Sequence, residues 1–222
     1  MDDITLVIPA KNEAESLPDV LDELLEYKIK KIVVIPIDDR KTRESIKKFD
    51  CKIIPQQGKG FGNALIQGIN CVETKYFCIF NADGSFDPIY LSQLKNKVQL
   101  NQDFVFCSRY EEGGGSEDDT MLTYIGNKFF TGLCNLLFGL KITDVLFTYV
   151  MGSTKAFKKL NMSFNDFSFC IELPIKAKKK NFILGNLPSI ERSRIAGIKK
   201  VNEFRDGLLI LISILRLLIL KK

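Results

Sequence analysis

Short apolar runs alternate with helical stretches along the first half of the chain. Five such runs show no polar alternation, at residues 5–9, 31–36, 52–54, 76–80 and 104–108. Stretches with helical spacing separate them, at residues 17–25, 42–49, 58–72 and 88–100. Continuous apolar strands that alternate with helices are typical of a parallel sheet covered on both faces. The first half is therefore predicted to form a Rossmann-like α/β layer.

The pattern changes after Tyr110. Residues 111–119 are rich in glycine and acidic side chains, which suit neither a helix nor a strand, so we expect a flexible flap there. A long apolar helix is predicted at 122–140, followed by a strand at 148–154, a helix at 169–180 and a strand at 182–187. No repeat or low-complexity linker divides this part, so residues 1–202 are predicted to form one domain.

The last segment is the most apolar part of the chain. Residues 207–220 contain eleven Leu or Ile among fourteen positions. A helix of that length spans about 21 Å, which is shorter than the roughly 30 Å hydrocarbon core of a bilayer, and Arg216 interrupts it. Residues 203–222 are therefore predicted to form an apolar helix that lies in a membrane interface. The alternative is that this helix packs on the protein's own core or on a second copy.

Composition narrows the possible chemistry. The 222 residues include 32 Lys plus Arg against 27 Asp plus Glu, a net charge of +5, and no histidine. Histidine-dependent triads, imidazole metal ligands and imidazole acid–base catalysis are thus excluded. The six cysteines form no C-x-x-C pair and the N-terminus lacks a signal-peptide pattern, so a cytoplasmic, reducing location is expected. The modest charge and the lack of a basic–aromatic platform argue against nucleic-acid binding.

Polar residues follow the predicted strands, where ligands bind in doubly wound sheets. They lie at residues 10–13, at Asp38 and Asp39, at residues 58–60, at residues 81–84 and at Arg109. Asn81 and Asp83 are two positions apart on an extended backbone, so their side chains point to the same side. Two hard oxygen donors at this spacing suit Mg²⁺ or Mn²⁺ bound together with a diphosphate, although a simple turn before Pro88 is the alternative.

Two further regions could meet anions. The glycine-rich turn at residues 58–62 opens a predicted helix, where free N–H groups attract negative charge, or its glycines only permit close packing. Arg192, Arg194, Lys199 and Lys200 form part of the densest basic region, which is either a solvated face or a phosphate-binding surface.

Taken in their order along the chain, these segments resemble those of family 2 glycosyltransferases with the GT-A fold. The resemblance is strongest to the polyprenyl-phosphate sugar transferases, such as the dolichyl-phosphate mannose synthases. The resemblance extends over residues 5–200. IPAKNE resembles the family's IPxYNE, IDD its DDGS loop, GKGFGNAL its GKGxAL helix start and NADGSFDP its DADGQHDP. SRYEEGG, IGNKFFTGL, ITD, FCIELPIKAKK and RIAGIKK resemble the later GSRY, GN, TD, ExxxKA and RxxGxSK segments.

The resemblance implies a fold, a reaction and a set of site residues. The fold would be a mostly parallel sheet flanked by helices, and the reaction would be inverting transfer of a sugar from a nucleotide-sugar to a polyprenyl phosphate. Asp83 would hold Mg²⁺ or Mn²⁺, with Asn81 and Ser85 beside it, and Glu172 would orient the sugar or the basic residues. Arg109 would contact phosphate oxygens. The remaining residues implied in substrate binding are Pro9, Ala10, Asn12, Glu13, Asp38, Asp39, Lys59, Gly60, Arg194 and Lys200.

The resemblance also implies a location and leaves alternatives. The protein would be peripheral on the cytoplasmic face of a membrane, with a homo-oligomer possible. A lipid phosphate is already ionised, so it needs no general base. A sugar or protein hydroxyl acceptor would need one, and Asp118 or Asp119 in the flap are the candidates. Asn81 stands where the family has an acid, which also leaves open a non-catalytic nucleotide-sugar-binding module.

Overall fold

The computed structural model describes residues 1–196 and 203–219. Within these residues the strands are β1 Ile4–Pro9, β2 Lys30–Pro36, β3 Lys52–Gln56, β4 Tyr76–Ile79, β5 Phe104–Ser108, β6 Gly115–Ser116, β7 Val150–Ser153, β8 Leu184–Pro188 and β9 Ile190–Glu191. Seven of them form one sheet with the order β3-β2-β1-β4-β7-β5-β8, and β6 pairs with β9 in a separate two-stranded sheet.

Helices cover both faces of the large sheet. They are α1 Leu17–Glu23, α2 Arg40–Ser45, α3 Phe61–Asn70, α4 Leu91–Gln99, α5 Met121–Phe138, α6 Thr154–Lys158, α7 Phe169–Lys179 and α8 Glu203–Ile219. Because successive strand residues face opposite sides, Val7 belongs to the core under α3, α6, α7 and α8, whereas Leu6 and Ile8 belong to the core under α1 and α4. The predicted α/β layer, with its apolar strands buried on both faces, is confirmed.

The sheet is mostly parallel, as predicted, with β7 as the exception. This strand runs antiparallel to both β4 and β5, and Gly152 is the register partner of Phe77 on one side and of Phe104 on the other. A side chain at Gly152 would collide with the ring of Phe104, so glycine allows the two aromatic rings to pack over the strand. The inserted strand keeps the carboxyl ends of β1, β2, β4 and β5 at one edge.

Several element boundaries differ from the predictions. The helix expected at 42–49 is the shorter α2, because the Asp39 side chain caps it at Thr42 and a turn follows Ser45. The helix expected from residue 58 begins at Phe61, because Gly58 and Gly60 have positive φ angles. The expected flap is partly ordered by the pairing of β6 with β9. Helix α6 and strand β9 were not predicted.

The predicted C-terminal helix is present as α8. Its residues Ile210, Ile214 and Leu217 are buried in the core that α7 and α3 also form. Its other face carries exposed apolar residues, including Leu208, which is 60% exposed. One side of α8 thus packs on the protein's own core, which was one of the alternatives to a membrane-interfacial helix. Contact of the other side with a membrane interface stays a prediction. No helix in the described parts of the chain combines the length and apolar character needed to span a bilayer.

Candidate functional site

A cavity of about 750 Å³ lies at the carboxyl ends of the strands. This volume is within the range of small-molecule sites, roughly 300–1,000 Å³. Ten of the predicted site residues line it: Pro9, Ala10, Asn12, Glu13, Gly60, Asn81, Asp83, Ser85, Arg109 and Arg194. The motifs at the ends of four strands and in the 192–195 segment therefore converge, as predicted from their places in the chain.

The loop after β1 is held by Asp39. One carboxylate oxygen of Asp39 accepts the backbone N–H of Asn12 at 2.6 Å, and the other accepts the N–H of Thr42 at 3.2 Å. Thr42 Oγ1 in turn accepts the N–H of Glu13 at 2.9 Å. Asn12 has a φ of 54°, a conformation that asparagine tolerates better than most residues. Asp39 thus fixes the backbone of this loop, while Asp38 is exposed and lies outside the lining of the large cavity.

The predicted metal-binding residues form a hydrogen-bonded chain. Asn81 Nδ2 donates to Ser85 Oγ at 3.1 Å, and Ser85 Oγ donates to Asp83 Oδ1 at 2.7 Å. The N–H of Ser85 donates to the same oxygen of Asp83, which leaves Oδ2 facing Nη1 of Arg194 at 3.9 Å. Ser85 is only 1% exposed. Its hydroxyl therefore connects the two other predicted ligands, and a role for Ser85 as a third metal ligand stays a prediction.

The 192–195 segment lies across this motif. The guanidinium of Arg192 makes a two-pronged ion pair with Glu23 of α1, at 2.8 and 2.9 Å, and donates to the carbonyls of Gly84 and Phe86. Gly84 has a φ of +83°, and a Cβ there would come within 2.5 Å of Ile195. Arg192 therefore fastens the end of β9 to the turn that carries Asp83.

Arg109 is the centre of a buried ion cluster. Its Nε and Nη2 donate to Asp144 at 2.7 and 3.1 Å, and its Nη1 donates to Glu191 at 3.1 Å and to Asp119 at 3.4 Å. Burial alone would lower the pKa of Arg109, but the charge of Asp144 and its hydrogen bonds raise it instead. Three carboxylates occupy this guanidinium, so the predicted contact with phosphate is not available to it in this arrangement. Its structural role is to join β5, the flap and β9.

The flap carries two acids with different partners. Asp118 pairs with Arg194 at 2.6 Å, and its hydrogen bond raises the pKa of the arginine. Asp119 accepts the hydroxyl of Tyr110, which also accepts from Asn127 of α5 at 2.7 Å. Burial, with this bond to Asp119, raises the pKa of Tyr110. The flap is thus tied to the 192–195 segment on one side and to α5 on the other.

Glu191 is a cavity residue that the sequence did not indicate. It accepts hydrogen bonds from Ser116 Oγ at 2.6 Å and from Arg109, and burial raises its pKa. Asp144 belongs to the ITD segment of the family resemblance, which implies no role for this residue. The structural roles of Glu191 and Asp144 depend on hydrogen-bond partners that are far away in sequence, and no local sequence pattern indicates such partners.

The glycine-rich turn packs closely against the backbone at Asn165. A Cβ on Gly60 would collide with the carbonyl of Asn165, and that carbonyl accepts the N–H of Asn63 at 3.0 Å. Gly60 still lines the cavity, whereas Lys59 is exposed and does not. The close-packing alternative therefore accounts for Gly60, and phosphate binding at Lys59 stays a prediction.

Glu172 lies away from the cavity. It is fully buried, accepts the N–H groups of Ser163 and Phe164 at 2.8–3.1 Å and pairs with Lys176 at 2.6 Å. The loop that it holds leads to Phe167, which does line the cavity. In this geometry Glu172 does not reach the cavity, where a sugar would bind. Its carboxylate instead orients the loop that forms one wall of the site, and one lysine. Lys200, the remaining predicted residue, lies outside the described residues.

The lining is acidic. Among the described residues it contains seven carboxylates and three cations: Glu13, Asp83, Asp118, Asp119, Asp166, Glu191 and Asp206, with Lys11, Arg109 and Arg194. A diphosphate entering such a site would meet net negative charge unless a cation accompanied it. Asp83 and Asn81 offer two hard oxygen donors, and no group of three His, Cys, Asp or Glu suited to a metal occurs in residues 1–196 and 203–219. A set of few protein ligands completed by substrate phosphates is the usual way in which Mg²⁺ is bound, so the donor set fits such an ion.

Comparisons with known proteins agree with this geometry. The family model described as "Glycosyl transferase family 2" matches residues 5–161. The glycosyltransferase AglJ of Haloferax volcanii is 20% identical over 218 residues, which cover 97% of this chain and 72% of the relative. A dolichyl-phosphate hexose transferase of the same organism is 23% identical over 209 residues, which cover 93% of this chain and 90% of the relative.

Solved structures show the same fold. Glucosyl-3-phosphoglycerate synthase from Mycobacterium tuberculosis, in complex with Mn²⁺, UDP and phosphoglyceric acid, superposes with a TM-score of 0.77 at 13% identity, covering 100% of this chain and 80% of that one. Its complex with Mg²⁺ and UDP gives 0.76 at 14% identity, covering 100% and 81%. The predicted GT-A fold is thereby confirmed.

Proposed function

The chain belongs to glycosyl transferase family 2, and from this premise we propose that it transfers a sugar from a nucleotide-sugar to a polyprenyl phosphate, with inversion, at the cytoplasmic face of a membrane. The observation that carries the proposal is the convergence of the strand-end motifs around Asp83 in one cavity. The relative named as a dolichyl-phosphate hexose transferase supports the acceptor class.

The donor would bind between the loop after β1 and the turn that carries Asp83. Asp39 holds the N–H of Asn12, so the wall formed by Pro9, Ala10 and Asn12 is preorganised for a nucleoside. Asp83 and Asn81 would hold a Mg²⁺ or Mn²⁺ ion on the diphosphate, and the structures solved with UDP and either metal support this assignment. Such an ion supplies charge neutralisation for the departing nucleoside diphosphate.

An ionised acceptor suits the side chains in the cavity. A phosphate monoester carries its own negative charge at neutral pH, so it can attack the anomeric carbon without transferring a proton to the protein. The chain has no histidine to act as a base. Arg194 lies in the lining, between Asp83 and Asp118, and is the described cation best placed to meet phosphate oxygens when the flap moves. Lys200 follows it in the sequence and is proposed for the same task.

A second candidate is transfer to a hydroxyl. The two flap candidates Asp118 and Asp119 line the cavity, as does Glu191, and a hydroxyl acceptor requires a carboxylate that can accept its proton. Asp118 is already paired with Arg194, Asp119 with Tyr110 and Glu191 with Arg109, so each acid would have to exchange a partner to act as a base. This engagement favours the phosphate acceptor.

The test compares two acids of the same motif. Asp83→Asn replaces the carboxylate among the proposed metal ligands with a neutral amide. Asp87→Asn is the control: Asp87 lies outside the cavity lining and caps the 3-10 turn Pro88–Tyr90, a task that asparagine can also perform. We expect wild type and Asp87→Asn to transfer radiolabelled sugar to a polyprenyl phosphate in detergent with Mn²⁺, and Asp83→Asn to be slower by at least about 100-fold. Donor and acceptor panels should be run together. Transfer to soluble hydroxyl acceptors alone would decide for the second candidate, and equal rates in all three proteins would refute the role of Asp83.

A further inference from the structure

The large cavity has an apolar end between α5 and α8. Most of its lining is apolar, from Leu122, Gly126 and Phe130 of α5 and from Gly207 and Ile210 of α8. Thr123, Asn127 and Asp206 are the polar lining residues of the same two helices. Ile210 is 2% exposed, so it forms a fixed floor. The polar groups of the proposed donor side, Asn81 and Asp83, line the same continuous space. One molecule could therefore occupy a charged end and an apolar end at once.

One glycine from each helix borders this end of the cavity. A Cβ on Gly126 would meet no atom within 4 Å, although this residue lines the cavity. A Cβ on Gly207 would lie 3.7 Å from the ring of Phe130, which is ordinary contact, so the two helices approach closely there. Glycine is the least favourable non-proline residue in a helix interior, and an alanine at either place would stabilise the helix without a clash. The glycine that leaves this space open therefore lowers the stability of helix α5.

The open end leads to exposed apolar surface. Met121, Leu122 and Ile125, which precede Gly126 on α5, are 81%, 52% and 58% exposed. On α8, Leu208 is 60% exposed one position after Gly207. A groove that begins in a polar cavity and ends on an apolar surface matches a molecule with a charged head and a long apolar chain.

We propose that the groove between α5 and α8 holds the first units of the acceptor's apolar chain, and that Gly126 sets the width of branched chain that can enter. The inference rests on the proposed function for the identity of the acceptor and adds where its chain leaves the cavity. An isoprenoid chain, which carries a methyl branch in each unit, needs more width than a straight acyl chain. Gly126 supplies that width because it has no side chain.

Gly126→Leu tests this groove, and Gly132→Leu is its matched control. Both glycines lie in α5 and both have open space at the Cβ position, but Gly132 does not line the cavity. Both substitutions favour the helix, so both variants should fold, as circular dichroism will check. Binding of farnesyl phosphate is measured by calorimetry, and transfer to a C55 polyprenyl phosphate is measured in parallel.

We expect Gly126→Leu to weaken farnesyl phosphate binding by at least about tenfold, the effect of excluding about two buried CH₂ groups, and Gly132→Leu to bind as wild type does. Farnesyl phosphate binding that is equal in Gly126→Leu and wild type would overturn the proposal that the groove holds the apolar chain, and so would the absence of binding to wild type. Wild type that binds farnesyl phosphate and transfers no sugar to C55 would refute the proposed function and leave the groove supported. A dimer in size-exclusion chromatography that only Gly126→Leu dissociates would show that a second copy fills the groove, and would overturn it.

Discussion

Arg109 should be more important for stability than for contact with substrate. In Arg109→Ala, Asp144, whose side chain is 0% exposed, loses its only described cation, and Glu191 and Asp119 remain beside it. Removal of one partner from a buried ion pair costs about 3–5 kcal/mol. The lost packing of the guanidinium on the ring of Phe147, 4.6 Å from its centroid, adds to this cost.

This loss is large relative to the stability of a typical domain, about 5–15 kcal/mol. For a chain of this length, each kcal/mol corresponds to about 2–4 °C in Tm, so Arg109→Ala should melt about 6–20 °C below wild type. Arg109→Lys keeps the charge but loses the forked hydrogen bonds to Asp144, and we expect a loss of about 1–3 kcal/mol. Arg40→Ala, which removes an exposed arginine, should change stability by less than about 0.5 kcal/mol.

Urea unfolding followed by circular dichroism measures these differences, since the chain has no tryptophan for fluorescence. An unfolding free energy within about 1 kcal/mol of wild type would refute the assignment of Arg109 as an anchor. Inactivity of Arg109→Ala by itself therefore says little about catalysis.

Three other substitutions probe the remaining acids and the metal motif. Glu172→Ala should cost about 3–5 kcal/mol in urea unfolding and Glu172→Gln about 1–3, because the amide keeps one acceptor for the N–H groups of Ser163 and Phe164; equal effects would contradict this account. Burial raises the pKa of Glu191 above its usual value of 4.5, so the folded state holds its proton more tightly than the unfolded chain does. The stability of wild type relative to Glu191→Gln should therefore fall as pH rises above about 4.5, and a flat difference between pH 4 and 7 would exclude the effect. Asn81→Asp should bind Mn²⁺ about tenfold more tightly in calorimetry without nucleotide, since a charged ligand replaces a neutral one; unchanged affinity would remove Asn81 from the metal site.

The sequence was informative about the fold where a pattern is local. Unbroken apolar runs such as residues 76–80 predicted buried strands, and their alternation with helices predicted a mostly parallel sheet. The direction of β7 could not be predicted in this way, because a four-residue apolar strand is compatible with either orientation. The antiparallel pairing places Gly152 between Phe77 and Phe104, and these residues are far apart in the chain.

The same distinction applies to the site. Residues directly after strands, such as Asp83, could be located because the ends of parallel strands meet at one edge. The partners of Arg109 could not, since they lie 10, 35 and 82 residues away and no periodicity links them. Glu172 was placed correctly on its helix, but the direction of its carboxylate depends on the loop at 163–164, which has no sequence pattern of its own.

The charge of the cavity gives a physical reason for Asn81. The described lining already holds seven carboxylates against three cations, and the donor and the proposed acceptor both add negative charge. An eighth carboxylate at position 81 would bind a metal ion more strongly, but it would also repel both phosphates and would compete with Asp83 for the single proton of Ser85. The amide donates to Ser85, so that Ser85 can donate to Asp83. In the proposed function, a neutral ligand at this position would leave the diphosphate to supply the missing negative oxygens, and we therefore expect metal binding and donor binding to depend on each other.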